Sequence, residues 1–533
     1  MKTKLSKWIL AVFMVGIWAI TSNVTAQTLD LEKTYKVTSK SKRGVLAKVD
    51  FDQQTEIYTL IYITKSTDKL TRFQVYTFDK DFNFIDLKEE DIEADKAREK
   101  YSWFTFRGEL YTVEGIAVEP NLMGTLILKQ KRITYKYDWF LLGYYKEVEL
   151  LKKVKPKSED GRTFFYFNHT EDDKTGDVYV LCGVKDKIGS SADPFRQNKD
   201  FYVLKFNANL ELEKEVNIKF DYPQHVAFNR FLPKTYADDP DNVGVDGIAY
   251  VFAPMGGQGM GKYEDPEKEN YTYVRVDSKL NQTDRVSFKS FASYWKIDEL
   301  IHNTATDDIF LFGPSAAGKD KYYNQSLGTT KFKAVQLLKI ANHKIEYFTE
   351  TDLETFVAKL KFPPSQRKSP DYEGKKFEIA NYHIAGNGDF IVVGQNFKPN
   401  SKGPNFSDVL AFHFDSKGIL KSQYGIDTKE SNVYAKASGT PQFFIEKGDN
   451  LYWFLQEING VYASKGKVLS YPRVGKIGLA AGTVTDFKDY GGGGDYYLDP
   501  KFPYLKTTDV NKIVFFGSDK KGKEIWFLRL KLD

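Results

Sequence analysis

Short apolar runs recur along this chain at intervals of roughly 60 residues, each set off by polar turns. They begin near Ile57, Leu110, Val178, Ile248, Ile309, Phe390, Leu451 and Ile513. A polar turn, often Gly-Asp, leads into each run, and a second apolar run ending in Asp or Asn follows. Phe201–Phe206 and Val409–Phe414 are mostly apolar at successive positions, interrupted once each by Lys205 and His413. A sheet with one face in water alternates apolar and polar residues, whereas a sheet covered on both faces does not. The pattern therefore predicts four-stranded sheets, each pressed between two neighbours. The clearest copy spans 377–424: strand 377–385, turn 386–389, strand 390–394, strand 409–414, a turn at 415–418, and a fourth strand from Ile419. The last copy ends at a third strand, Glu524–Leu530. The strand-like segment Leu29–Val37 is expected to complete it, which would remove exposed edges. Two helices are predicted. One is the charged stretch 87–100. The other is 352–361, opened by a Thr351/Glu354 capping box and stopped by Pro363 and Pro364.

The third runs end in Phe206-Asn207-Ala208-Asn209-Leu210, Val276-Asp277-Ser278-Lys279-Leu280 and Phe414-Asp415-Ser416-Lys417-Gly418. Asn, Asp and Gly supply the positive φ that tight hairpins need. These turns resemble the third-strand turns of bacterial β-propeller repeats with a period near 60. The resemblance implies an all-β propeller of four-stranded blades; the repeats count to eight blades, with the N-terminal strand expected to close the ring. Seven is the alternative, because residues 101–150 are irregular. No Trp-Asp pair recurs, and the Gly doublets do not repeat once per blade. The resemblance thus implies a shape and no activity.

Composition places this fold in a compartment. Lys2, Lys4 and Lys7 precede an apolar stretch, Trp8–Ile20, and the small residues Val24-Thr25-Ala26. That is the layout of a secretory signal peptide cut between Ala26 and Gln27. The expected mature chain is one domain, 27–533, in the periplasm or outside the cell, with no later segment apolar enough to span a bilayer. Losing three lysines and no acid lowers the net charge from +5 to +2. Such a mixed, near-neutral surface argues against nucleic acid as partner. Cys182 is the single cysteine, so no internal disulfide forms and stability must come from the core. Tyr and Phe dominate a 15% aromatic content, which favours strands.

No motif assigns chemistry. Gly313–Asp320 nearly matches a phosphate-binding loop, but Asp320 stands where the metal-binding hydroxyl belongs. Gly257–Gly261 lacks a strand–helix context. Ser158–Thr163 reads as a hairpin turn. Asp238, Asp239, Asp241, Asn242 and Asp246 cluster in a loop without calcium-loop spacing. The six histidines show no metal spacing. No catalytic residue, metal or cofactor is assigned. In a propeller, the second-to-third-strand loops and the blade connections share one face. Here the second-to-third loops 185–200, 254–270, 313–332 and 395–407 and the connections 221–245, 348–376 and 488–503 are long. Long ordered loops concentrate function, so Arg196, Lys262, Tyr263, Tyr322, Tyr323, Asn324 and Tyr496 are the candidate ligand-binding residues. The expectation is a non-catalytic binding or scaffold protein that recognises a protein or glycan. The alternative is a glycan hydrolase or lyase with acidic residues near the propeller axis.

Overall fold

A computed structural model describes residues 27–533 apart from 68–69, 94–95, 97–110, 122–123, 139–142, 185–197, 237–238, 255–270, 293, 317–331, 368–369, 373, 375, 402, 431, 464–466 and 492–493. The described residues form seven sheets, nearly all antiparallel. The chain enters with β1 (Gln27–Lys36) and α1 (Ser39–Arg43). Sheet I is the meander β2 (Val45–Asp52), β3 (Ile57–Ser66), β4 (Leu70–Phe78) and β5 (Phe84–Glu93). Sheet II is β6 (Tyr111–Val118), β7 (Leu128–Asp138) and β8 (Gly143–Val154). Sheet III is a seven-stranded ribbon: β9 (Phe164–Glu171), β10 (Val178–Val184), β11 (Asn198–Phe206), β12 (Leu212–Tyr236), β13 (Asp239–Pro254), β14 (Tyr271–Asp277) and β15 (Gln282–Phe288). Sheet IV contains β16 (Tyr294–Trp295), β17 (Glu299–Asn303), β18 (Asp308–Ala316), β19 (Ala334–Ala341) and β20 (Lys344–Asp352). After α2 (Leu353–Ala358), sheet V contains β21 (Leu360–Lys361), β22 (Lys376–Ile384), β23 (Phe390–Asn400), β24 (Gly403–Phe414) and β25 (Leu420–Ile426). After α3 (Val433–Ser438), sheet VI contains β26 (Gln442–Lys447), β27 (Asn450–Tyr462), β28 (Lys467–Gly478), β29 (Thr483–Val484) and β30 (Lys488–Asp489). Sheet VII contains β31 (Tyr496–Leu498), β32 (Tyr504–Leu505), β33 (Lys512–Asp519) and β34 (Glu524–Leu532), with β1 as its outer strand. β1 pairs with β34 from Gln27↔Leu532 to Lys36↔Glu524, so the predicted N-terminal strand joins the last sheet.

The double-sided apolar pattern has a direct structural cause. Successive side chains of a strand point to opposite faces. In β18, Ile309 and Leu311 pack toward sheet III with Ala249, Val251 and Tyr273. Phe310 and Phe312 pack toward sheet V with Phe390, Phe412 and Phe414. In β27, Leu451 and Trp453 face sheet V, while Tyr452 and Phe454 face sheet VII. In β33, Phe515 faces sheet VI, while Val514 and Phe516 face sheet I. Shared cores therefore link II to III, the first half of ribbon III to its second half, then III to IV, IV to V, V to VI, VI to VII, and VII to I. Cys182 lies fully buried in the core between II and III. Among the described residues no helix is long and apolar enough to cross a membrane.

The three turns singled out in the sequence are the hairpins β11–β12, β14–β15 and β24–β25. In each, one Asn or Asp side chain accepts from two backbone amides. Asp277 Oδ1 accepts from Lys279 N at 2.9 Å and Asn281 N at 2.7 Å. Asn207 and Asp415 repeat the arrangement, as do Asp79 and Asp519 elsewhere. The fourth turn residue has positive φ: Gly418 at 77° and Gly522 at 66°, but Phe82, Leu210 and Leu280 at 57°. An L-residue there costs about 1–2 kcal/mol. Each of the three is buried, and each packs in a core shared with a neighbouring unit: Leu210 between sheets II and III, Leu280 between the two halves of ribbon III, and Phe82 between sheets VII and I. Burial offsets the strain. Leu280→Ala keeps the strain and loses the burial, so it is expected to cost about 3 kcal/mol in urea unfolding. Leu280→Gly, which relieves the strain, should be no worse despite removing one more carbon.

Four expectations are corrected. Residues 87–93 belong to strand β5, not a helix. β5 is the edge strand of its sheet and mostly exposed, so its charges sit in water, where Asp91 pairs with Arg72. The cap of α2 is Asp352, which accepts from Thr355 N at 2.7 Å, not Thr351, and the helix ends at Ala358. Segment 221–245 is largely strand: β12 runs on for 25 residues, pairing with β11 up to Gln224 and with β13 beyond it. Segment 395–407 is a strand hairpin that remains paired to Asn400↔Gly403. Gly313–Ala316, the described part of the near-match to a phosphate-binding loop, lie inside β18, where a Cβ on Gly313 would sit 1.9 Å from Lys296 O.

Candidate functional site

Antiparallel order sends the second-to-third hairpin and the link to the next sheet to one common rim. On sheet V that rim carries the start of β22, the β23–β24 hairpin and the exit from β25. The exit leads into α3, which packs on β24 and β27. Asn432 caps α3 by accepting from Tyr434 N at 3.0 Å and Ala435 N at 2.9 Å, and its Nδ2 donates to Ile458 O at 2.7 Å. The cap thus ties the helix to sheet VI. Gly439 stops the helix at φ 67°, in the left-handed region that glycine tolerates best.

Between these elements lies a cleft of about 280 Å³, lined by Glu378, Ile379, Ala380, Gln395, Phe406 and the segment Ser438–Pro441. Its floor is fixed. Gln395 is buried, its Nε2 donates to Ser407 O at 2.7 Å, and its Oε1 accepts from Thr440 N. Phe406 packs tilted against Phe397, with centroids 5.9 Å apart, and forms an apolar wall with Pro441. Glu378 is exposed. Its carboxylate and the hydroxyls of Ser438 and Thr440 have no hydrogen bond or ion pair among the described residues. Val433 and Tyr434 of α3 stand exposed nearby.

Behind α3 a charged cluster anchors the same link. Arg473 and Glu457 form an ion pair in which both side chains are at most 7% exposed. Arg473 Nη1 also donates to Asp427 O at 3.0 Å, its Nε lies 3.3 Å from Asp489, and its guanidinium rests 5.6 Å over Phe487. Lys429 donates through its backbone to Glu457 at 3.3 Å and through Nζ to Asp489. Tyr471 donates to Glu430 at 3.2 Å; burial, then the Glu457 and Glu430 charges, push its phenol well above the ordinary range. These contacts hold residues 427–430 against sheet VI and so set the position of α3 over the cleft.

Deeper in the same V–VI interface, His413 Nε2 meets Asp389 at 2.8 Å and its Nδ1 meets Tyr424 Oη at 3.1 Å. Lys421 reaches Asp389 at 3.3 Å. All but Lys421 are buried, so the trio reads as an internal tie. Burial holds the His413 imidazole below its ordinary value, against the pull of Asp389. The folded state therefore takes up this proton less readily than the unfolded chain. Its contribution to stability is whole above about pH 6.5 and is lost as pH falls from there through the folded pKa. Burial lowers His169 as well, which adds the same sign. The urea midpoint is expected to fall between about pH 7.5 and about pH 5, and His413→Gln should flatten that slope.

Of the residues named from sequence, Arg196, Lys262, Tyr263, Tyr322, Tyr323 and Asn324 lie outside the described residues. Tyr496 begins β31 on the rim of sheet VII, two sheets on from sheet V. Its ring stacks on Trp526 at 5.9 Å, and its hydroxyl donates to Glu524 at 3.1 Å. Burial, then Glu524, push its phenol upward. Tyr496 is thus engaged within sheet VII and does not line the cleft. Glu378, Phe406, Ser438 and Thr440 were missed by the sequence reading. The available signal was the Asn-capped helix followed by Gly439-Thr440-Pro441, facing the long 395–407 excursion.

No protein-family model matches the chain, and no curated protein matches it. Solved structures overlap it loosely. The chain aligns over 96% of its length with 100% of Sqt1 from Saccharomyces cerevisiae, at 9% identity and a TM-score of 0.26. It aligns over 87% with 94% of a Synechocystis apocarotenoid oxygenase mutant, at 8% and 0.25. It aligns over 86% with 100% of the β-propeller domain of the Trilobed protease from Pyrococcus furiosus, at 8% and 0.23. Overlaps this loose leave the architecture to be judged from the sheets themselves.

Proposed function

We propose that residues 27–533 form an eight-bladed β-propeller closed by β1, exported through residues 1–26, that acts as a non-catalytic binding or scaffold protein. It recognises a protein or glycan through the rim that carries the cleft. Serial two-sided packing supports the ring, with ribbon III counted as two blades. Leu280 and Leu210 each plug the core shared with the preceding unit, and Phe82 of the first unit plugs the core shared with the last, stacking on Phe527 at 4.7 Å. The last unit thus stands where a preceding blade belongs.

The observation that carries the function is a cleft with fixed walls and unengaged polar groups. Gln395 and the Asn432 cap are held by hydrogen bonds to neighbouring backbone, whereas Glu378, Ser438 and Thr440 have no such partner among the described residues. Walls held in advance lower the ordering cost of association. Glycosidase chemistry needs two carboxylates flanking the bond, and Glu378 is the single carboxylate lining this cleft; that favours binding. The test applies the chain from Gln27 to a glycan array and to a panel of purified envelope proteins, beside Ser438→Trp, which fills the cleft. Binding that falls at least tenfold in the filled variant supports the proposal. Undiminished binding by a folded Ser438→Trp chain removes the cleft from it. Glycan cleavage lost in Glu378→Gln would favour the hydrolase instead.

A further inference from the structure

We propose that the cleft takes a primary ammonium group on an alkyl stem, as a lysine side chain presents it. This rests on the rim-binding reading above and names its ligand chemistry. The cleft is divided by chemistry. Phe406 and Pro441 offer carbon, and Phe406 is itself buried, so its ring serves as a wall for a slender stem and not as an open platform for a sugar face. Glu378, Ser438 and Thr440 offer oxygen. An ammonium carries three donors and no acceptor, and a carboxylate with two hydroxyls supplies three acceptors. A flat guanidinium pairs best with a carboxylate through two parallel bonds, which leaves the hydroxyls unused. The charge also calls for a cation. Glu378 has no ion-pair partner among the described residues, although Lys376 sits two positions earlier on the same face of β22. The amide side chain in the cleft, Gln395, is already bonded to Ser407 O and Thr440 N.

Three probes separate the alternatives by calorimetric titration of the chain from Gln27: Nα-acetyl-lysine methylamide, Nα-acetyl-norleucine methylamide, which keeps the stem and lacks the ammonium, and methyl β-glucopyranoside. The lysine probe is expected to bind, the norleucine probe about tenfold more weakly, and Glu378→Gln should lose the same factor, in line with loss of a charge-assisted hydrogen bond. Binding should weaken with added salt. Glu378 is exposed, and a thermal melt will verify that the Gln variant is folded. Equal binding of lysine and norleucine probes, unchanged binding by Glu378→Gln, preference for the glucoside, or no binding of the lysine probe each overturns the ammonium assignment. The filled Ser438→Trp chain keeps the two proposals apart. Partner binding lost in that variant but retained in Glu378→Gln leaves the rim reading standing and removes the ammonium. Retention in both removes both.

Discussion

A chain that starts at Thr38 instead of Gln27 is expected to lose its cooperative thermal transition or to aggregate, the largest effect foreseen for any single change. The truncation removes β1, which pairs with β34 through nine registered residue pairs. A ladder hydrogen bond is worth on the order of 1 kcal/mol net, so several kcal/mol go with the strand. Side-chain ties go too. Trp526 Nε1 donates to Glu32 at 2.7 Å, Asp30 receives Arg529 and lies 3.2 Å from Lys512, and Gln27 Nε2 donates to Val474 O at 3.0 Å, tying sheet VII to sheet VI. What remains is an open β34 edge beside Leu528 and Leu530, a template for pairing with another chain. The check is a melt with size-exclusion chromatography, followed by addition of a synthetic peptide spanning residues 27–36. Recovery of the monomer by the peptide is expected. A truncated chain that melts as the parent does would show that the pairing is dispensable.

The second large effect concerns the Arg473–Glu457 pair. Arg473→Met leaves the Glu457 carboxylate, 1% exposed, without its counter-charge, and breaking such a pair from one side costs about 3–5 kcal/mol. Denaturant unfolding should register that loss. Glu457→Leu with Arg473→Met should recover most of it, because desolvating two charges offsets much of their attraction. The double variant carries a second prediction. It no longer holds the Asp427 carbonyl, whose bond from Arg473 measures 3.0 Å, so partner binding at the cleft should weaken although stability returns. Stability and binding that recover together would separate the ion pair from the cleft.

The sequence announced the repeat because a strand covered on both faces leaves a local mark. The apolar runs at Ile57, Val178, Ile248, Ile309, Phe390, Leu451 and Ile513 all fall in the second strand of a unit, in β3, β10, β13, β18, β23, β27 and β33. The Asn207, Asp277 and Asp415 turns were equally legible, since side-chain capping of a tight hairpin is a short-range event. What failed was whatever depends on distant partners. β5 carries charges with little alternation because water covers most of it, and only its pairing with β4 makes it a strand. β12 contains Pro223 and reads as a link, because proline seldom sits inside a ladder; two different neighbours hold its two halves. The cleft was least legible of all. Glu378, Gln395, Phe406 and Ser438–Pro441 come from separate stretches, none unusual alone, and only the meeting of sheets V and VI brings them together.

The uninterrupted β12 has one more consequence. At the other junctions among the described residues a loop, a turn or a short helix separates one unit from the next, and such joints let neighbours breathe independently. Here backbone bonding passes from β11 to β13 through one strand, with Gln224 at the handover. The two halves of ribbon III are therefore coupled as one cooperative block. Amide protons on β10 and β14 should exchange with solvent at matching rates, as a tandem pair that opens together or not at all.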